Sequence, residues 1–156
     1  MWGRDGVPRP GWDRYFMDMA ALAASRGTCL RRRVGAVLAR DERVVATGYN
    51  GSPRGQPHCA DVGCLMVGGH CRRAVHAELN ALLQCALHGV GAAGATLYTT
   101  CFPCLDCAKA LVQAGVARVV YREPYADPLL ADSETLGVLA AAGVAVARVS
   151  AEGEPV

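Results

Sequence analysis

Apolar positions at intervals of three and four open the chain. Phe16, Met19, Ala20 and Ala23 fall at i, i+3, i+4 and i+7, which predicts a helix over residues 12–26 stopped by Gly27. Short apolar runs follow. Val34 to Ala39 and Val44 to Tyr49 predict two strands joined by the polar turn Arg40-Asp41-Glu42-Arg43. Residues 50–73 are rich in Gly, Pro, Cys and His and show no period, so they predict a long loop, and ordered loops of that length tend to be functional or tied down. The helical period returns over 75–88, with Leu79, Leu82, Leu83 and Ala86 as its stripe and the Gly-rich stretch 89–94 as its stop. Thr96 to Thr99 predicts a strand, Cys104 to Ala114 a helix capped by Gly115, and Val116 to Tyr121 a strand. A helix over 133–142 and a strand over 144–149 complete the pattern. A strand hairpin followed by alternating helices and strands predicts an α/β fold, a mixed sheet covered on both faces. No repeat or linker divides the chain, so residues 1–156 are expected to form one domain.

Composition narrows the class. Hydrophobic residues at 52% and charged residues at 19% suit a packed core. No apolar run reaches the ~18 residues of a membrane span, and Met1 to Pro10 lacks the apolar segment of a signal peptide, so the expectation is a soluble cytoplasmic protein. Eight cysteines in that setting point to metal and reduced thiols before disulfides. A net charge of +2 is too weak to argue for a nucleic-acid partner by itself. Arg31-Arg32-Arg33 is the one basic cluster, readable either as a solvated turn after the first helix or as a phosphate contact.

The chemistry concentrates in His76-Ala77-Glu78 and, further on, Pro103-Cys104-Leu105-Asp106-Cys107. His76, Cys104 and Cys107 supply three zinc ligands and leave a fourth tetrahedral position for water, the layout of a catalytic rather than a closed site. Cys104 and Cys107, three apart at a helix start, share a face and meet the exposed N–H groups that favour thiolates. Glu78 lies two residues from His76, a spacing that does not share a helix face. It therefore reads as the acid/base acting on the water rather than as a fourth ligand. A lone C-x-x-C is more often a redox or structural pair, and a lone H-x-E is close to noise. In this order, each at a helix start, they resemble the signature of zinc-dependent nucleobase deaminases.

Further matches sharpen the resemblance. Thr28-Cys29 before Val34-Gly35-Ala36-Val37, the run Gly48-Tyr49-Asn50-Gly51-Ser52-Pro53, His76 through Ala81, Tyr98-Thr99-Thr100, Pro103 through Lys109 and Tyr121 through Tyr125 are similar to the deoxycytidylate (dCMP) deaminase family over about residues 12–126. The resemblance implies a cytidine deaminase-like fold, a three-layer αβα sandwich with a mixed five-stranded sheet. It implies hydrolysis of dCMP to dUMP in a homo-oligomer, usually a hexamer, activated by dCTP and inhibited by dTTP. It implies that Asn50 hydrogen-bonds the substrate and Tyr125 stacks on the pyrimidine; the plain alternatives are a turn-forming Asn beside Gly51 and a half-buried Tyr. The Gly51-Ser52-Pro53-Arg54 loop resembles the part that gathers phosphates or effectors. Some members carry a second, structural zinc, and Cys29, Cys59, Cys64 and Cys71 are its candidate ligands here, with His58 or His70 able to replace one. Cys85 reads as core packing and Cys101 as a small residue near the zinc. Free-base, nucleoside, or tRNA and single-strand deamination uses the same signature; a strand substrate would call for a basic tract or aromatic platform that this chain lacks. A non-enzymatic DNA-uptake accessory or scaffold would have no use for Glu78.

Overall fold

The structure is a computed structural model that describes residues 6, 8–125 and 131–156. The N-terminal reading of Met1–Pro10 falls largely outside these residues, as does the Ala126 limit of the expected core. In chain order the elements are α1 (Trp12–Ala24), β1 (Gly35–Arg40), β2 (Arg43–Tyr49), α2 (Cys59–Val62), β3 (Met66–Val67), β4 (His70–Cys71), α3 (Ala77–His88), β5 (Thr96–Cys101), α4 (Leu105–Gln113), β6 (Arg118–Glu123), α5 (Ala131–Ala141) and β7 (Ala145–Arg148). The main sheet has the order β2-β1-β5-β6-β7. β1 is antiparallel to both β2 and β5, while β5, β6 and β7 are parallel. The β1–β2 turn is only Asp41-Glu42, both at positive φ (51° and 59°), the primed turn that matches strand twist.

Alternation along the strands divides the core in two. Val37, Ala39, Tyr98 and Val120 face α1, and Ala36, Leu38, Leu97 and Val119 face the layer of α3, α4 and α5. This is the expected three-layer αβα sandwich. Asp13 ties α1 to the sheet: it accepts two bonds from Arg118 at 2.8 and 2.7 Å and one from Tyr98 Oη at 2.9 Å. No helix among the described residues is long and apolar enough to cross a membrane.

Two stripes differ from expectation. In α1 Met17 is buried with Phe16 and Ala20, and Met19 is only partly covered. In α3 the buried face is Ala77, Glu78, Ala81 and Cys85, whereas Leu83 is 49% exposed and Ala86 lies at the surface. The cause is close approach. A Cβ on Gly48 of β2 would stand 2.6 Å from Ala81 N, so α3 lies on β2 through its small residues; Leu83 turns outward, while Leu82 packs at the margin of the core. Residues 50–73 are not bare loop. They hold α2 and the β3–β4 hairpin.

Candidate active site and thiol cluster

Parallel strands β5 and β6 end beside the starts of α3 and α4, so two helix N-termini converge there. His76 and Cys104 are the N-cap residues, both in extended backbone (φ −66°, ψ 150° and φ −70°, ψ 167°), and neither side chain caps its helix. Cys104 thus precedes α4 rather than sitting in its first turn as expected; Cys107 occupies that turn. The extended N-cap frees both side chains to point toward one another. Cys104 Sγ is 3.4 Å and Cys107 Sγ 3.5 Å from His76 Nδ1. A tetrahedral zinc with bonds of ~2.0–2.3 Å needs N–S edges of about 3.6 Å, so the donor set fits that ion.

Electrostatics agree with this reading. Cys104 is pushed down to about 4, first by its hydrogen bond with Cys107 and then by His76, while Cys107 is pushed up by Cys104 and by burial. Two thiols this close cannot both ionise unless a cation joins them. His76 is raised, chiefly by its bond with Cys104. Glu78 is buried at 4% exposure, and desolvation lifts its carboxyl to about 7. A carboxyl poised there can both take and give a proton near neutral pH. Cys101 ends β5, buried, outside the donor trio, with its Sγ 4.0 Å from the Pro124 carbonyl.

Asn50 is also buried. Its Oδ1 accepts from Val34 N at 2.8 Å and its Nδ2 donates to Arg32 O at 2.6 Å, so the carboxamide pins the segment entering β1. Gly27 makes room for it: a Cβ there would lie 2.7 Å from Asn50 Oδ1. Because β1 runs antiparallel to β5, that segment ends at the same sheet edge as the trio; Gly35 N donates to Thr100 Oγ1 at 3.1 Å. Arg32 reaches the carbonyl of Pro124 at 3.5 Å, and Arg31 instead holds Gly69 O at 2.6 Å. Tyr125 is half-buried against the core on the trio's side, its hydroxyl raised by burial and then by the nearby Cys104 charge. Arg32 entered the sequence reading only as part of a basic cluster and Thr99 only within the Tyr98-Thr99-Thr100 match, since the placement of both depends on strand pairing and burial.

Cys29, Cys59, Cys64 and Cys71 come together at the other end of that segment, their Sγ atoms within 4.8 Å of one another. Cys59 and Cys71 are 3.6 Å apart, close to the S–S edge of about 3.8 Å in a zinc tetrahedron. Cys59 is pushed up to about 12 by burial and by Cys71; burial also raises Cys71, but the N–H groups of Arg73 and Ala74 together with Cys59 and Cys64 bring it down to about 6. Neither candidate replacement joins the four: His58 caps α2 and bonds Thr28 Oγ1 through Nδ1 at 3.0 Å. Cys85 is packed in the core, as expected.

Residues 10–123 match the family described as the cytidine and deoxycytidylate deaminase zinc-binding region. The ComE operon protein 2 of Bacillus subtilis is 50% identical over 119 residues, 76% of this chain and 63% of that protein. The deoxycytidylate deaminase of Saccharomyces cerevisiae is 44% identical over 153 residues, 94% of this chain and 47% of that one. The chain thus spans about half to two-thirds of the length of these two curated relatives. Among solved structures, the dCMP deaminase of cyanophage S-TIM5 in complex with dCMP and dUMP superposes with a TM-score of 0.78 at 32% identity, covering 91% of this chain and 99% of that one. With a family model spanning most of its length and a fold that superposes on a solved dCMP deaminase, the chain belongs to the cytidine and deoxycytidylate deaminase family.

Proposed function

We propose that this chain hydrolyses dCMP to dUMP and ammonia, supplying dUMP for thymidylate synthesis. The observation that carries the reading is a buried Glu78 beside the convergent His76, Cys104 and Cys107 in a chain of this family. Zinc held by that trio would supply a Lewis acid that lowers the pKa of water in the position the protein leaves open. Glu78 takes the proton of the attacking water and delivers protons to the ring nitrogen and the departing amine; the amidine carbon gains oxygen as ammonia leaves. Tyr125 stacks on the pyrimidine. Asn50 hydrogen-bonds the nucleotide with the amide N–H not used on Arg32. Arg32, at the rim beside Tyr125, faces the 5′-phosphate.

The second thiol set, Cys29, Cys59, Cys64 and Cys71, holds a structural zinc, giving two ions per subunit. The enzyme works as one domain in a homo-hexamer in the cytoplasm, where thiols stay reduced, with dCTP and dTTP as effectors. A panel assay of ammonia release tests the substrate: dCMP, dCTP, deoxycytidine, cytosine, guanine, single-stranded DNA and a tRNA anticodon stem at matched concentrations. dCMP is expected to turn over fastest. Faster deamination of tRNA or single-stranded DNA would overturn the assignment.

A further inference from the structure

Thr99 sits in β5 with no exposed surface, on the face that carries Leu97 toward α3. Its hydroxyl stands between two acceptors: Cys101 O at 2.8 Å and Glu78 Oε1 at 3.4 Å. A threonine hydroxyl has one proton and two lone pairs, and it turns to suit its neighbours. The short contact takes the proton, because a carbonyl can only accept. The longer one is stretched beyond the usual O–H···O distance of ~2.7–2.8 Å, as expected where the hydroxyl's proton is engaged elsewhere.

Thr99 nevertheless sets a fully buried hydroxyl within reach of Glu78 Oε1, and its one proton can be shared between Cys101 O and that oxygen. A methyl group in its place could not donate, and a buried carboxyl oxygen without a donor is costly. Resting on the deaminase reading above, we infer that Thr99 is a positioning residue that holds Oε1 of Glu78 and so leaves Oε2 toward the reacting water and ring. Thr99 touches neither substrate nor metal ligand; it acts through Glu78.

The test uses Thr99→Val, which keeps shape and loses the hydroxyl, and Thr99→Ser, which keeps the hydroxyl and loses a methyl. Each is compared with wild type in zinc content, dCMP kinetics and a crystal structure. Thr99→Val is expected to lower kcat about tenfold, the size of one hydrogen bond to a charged group, with KM within about twofold. Thr99→Ser should recover kcat to within about threefold of wild type. In the Thr99→Val crystal the Glu78 carboxyl should leave its single orientation. The inference is overturned if kcat of Thr99→Val stays within twofold of wild type, if Thr99→Ser falls as far as Thr99→Val, or if Glu78 keeps its orientation in the Thr99→Val crystal. Wild type failing to deaminate dCMP would sink the substrate reading instead, and the orientation of Glu78 would then decide the role of Thr99 alone.

Discussion

Replacing Cys59 by Ser tests whether the four-thiol cluster binds metal and what it secures. Cys59 is fully buried and lies 3.6 Å from Cys71, so the variant removes one donor from the middle of the set. A closed cross-link between Cys29 and Cys59 encloses about 30 residues, and loop-closure entropy puts such a link at ~3–4 kcal/mol. For a chain of this size, 1 kcal/mol moves the melting temperature by roughly 2–4 °C. Cys59→Ser should therefore melt about 6–16 °C below wild type and carry one zinc instead of two. The loss should extend to function. Cys29 leads into the segment that Asn50 holds, so KM for dCMP should rise while His76, Cys104 and Cys107 keep their metal. Zinc release on thiol titration, thermal unfolding and steady-state kinetics read the three effects. One zinc in wild type, with all four thiols open to a labelling reagent in the folded protein, would refute the reasoning.

Glu78→Gln should keep fold and metal and lose ~10⁴-fold or more in kcat, since the carboxyl moves protons in several steps; a loss under tenfold contradicts its role. Cys104→Ala should lose the zinc of the trio and essentially all turnover, checked by metal analysis; full zinc content would remove Cys104 from the ligand set. Asp13→Asn should cost about 1 kcal/mol at pH 7, discounted because Asp13 and Arg118 both stay about a third exposed. Arg118 depresses the folded pKa of Asp13, so its contribution is complete above the unfolded value of ~3.9 and fades as pH falls through the lower folded value. The gap in melting temperature between variant and wild type should therefore be full at neutral pH and close below about pH 4; a gap independent of pH would show that packing, not charge, is lost.

Outside residues 50–73, where α2 and the β3–β4 hairpin carry no periodic signal, element type and order were legible because periods of 3.6 and 2 survive in the sequence, and the donor trio was legible because its residue types have few other uses at that spacing. Which face of α3 is buried was not. It is decided by Gly48 on another strand, and amphipathicity ranks Leu83 above Ala81 with no knowledge of that approach. Cys104 was placed one position too deep because a thiol and a first-turn residue look alike in sequence, whereas an extended N-cap is a backbone property. Arg32 reads in sequence as a solvated turn or a phosphate contact, and its place near the trio follows from β1 running antiparallel to β5, a pairing that local pattern does not encode. Asn50 looked like a substrate contact or a turn residue, and its carboxamide does visible work on the main chain at Arg32 and Val34.

The two thiol-bearing sets are joined by short pieces of chain. Cys71 belongs to the four-thiol cluster and His76 to the trio, so the strap between them is only about four residues long and spans at most ~17 Å when extended. It has no helix of its own. It is held by Arg73 Nε on Gly63 O at 3.1 Å and by the reciprocal bonds of Val75 with Gly51, the residue after Asn50. On the other side, Cys29 follows Thr28, whose N–H bonds Asn50 O, and precedes the arginines at the rim. Both segments therefore start from the same four sulfurs and converge on Asn50 and Gly51. Irregular backbone cannot fix a catalytic imidazole by internal hydrogen bonds as a helix does. A cross-link at its far end can, and a zinc on the four sulfurs would supply one. The proposed second zinc would thus account for the Gly- and Cys-rich composition of residues 50–73: the glycines let the chain turn around the cluster, and cysteines bound to that ion would anchor the strap that ends at His76.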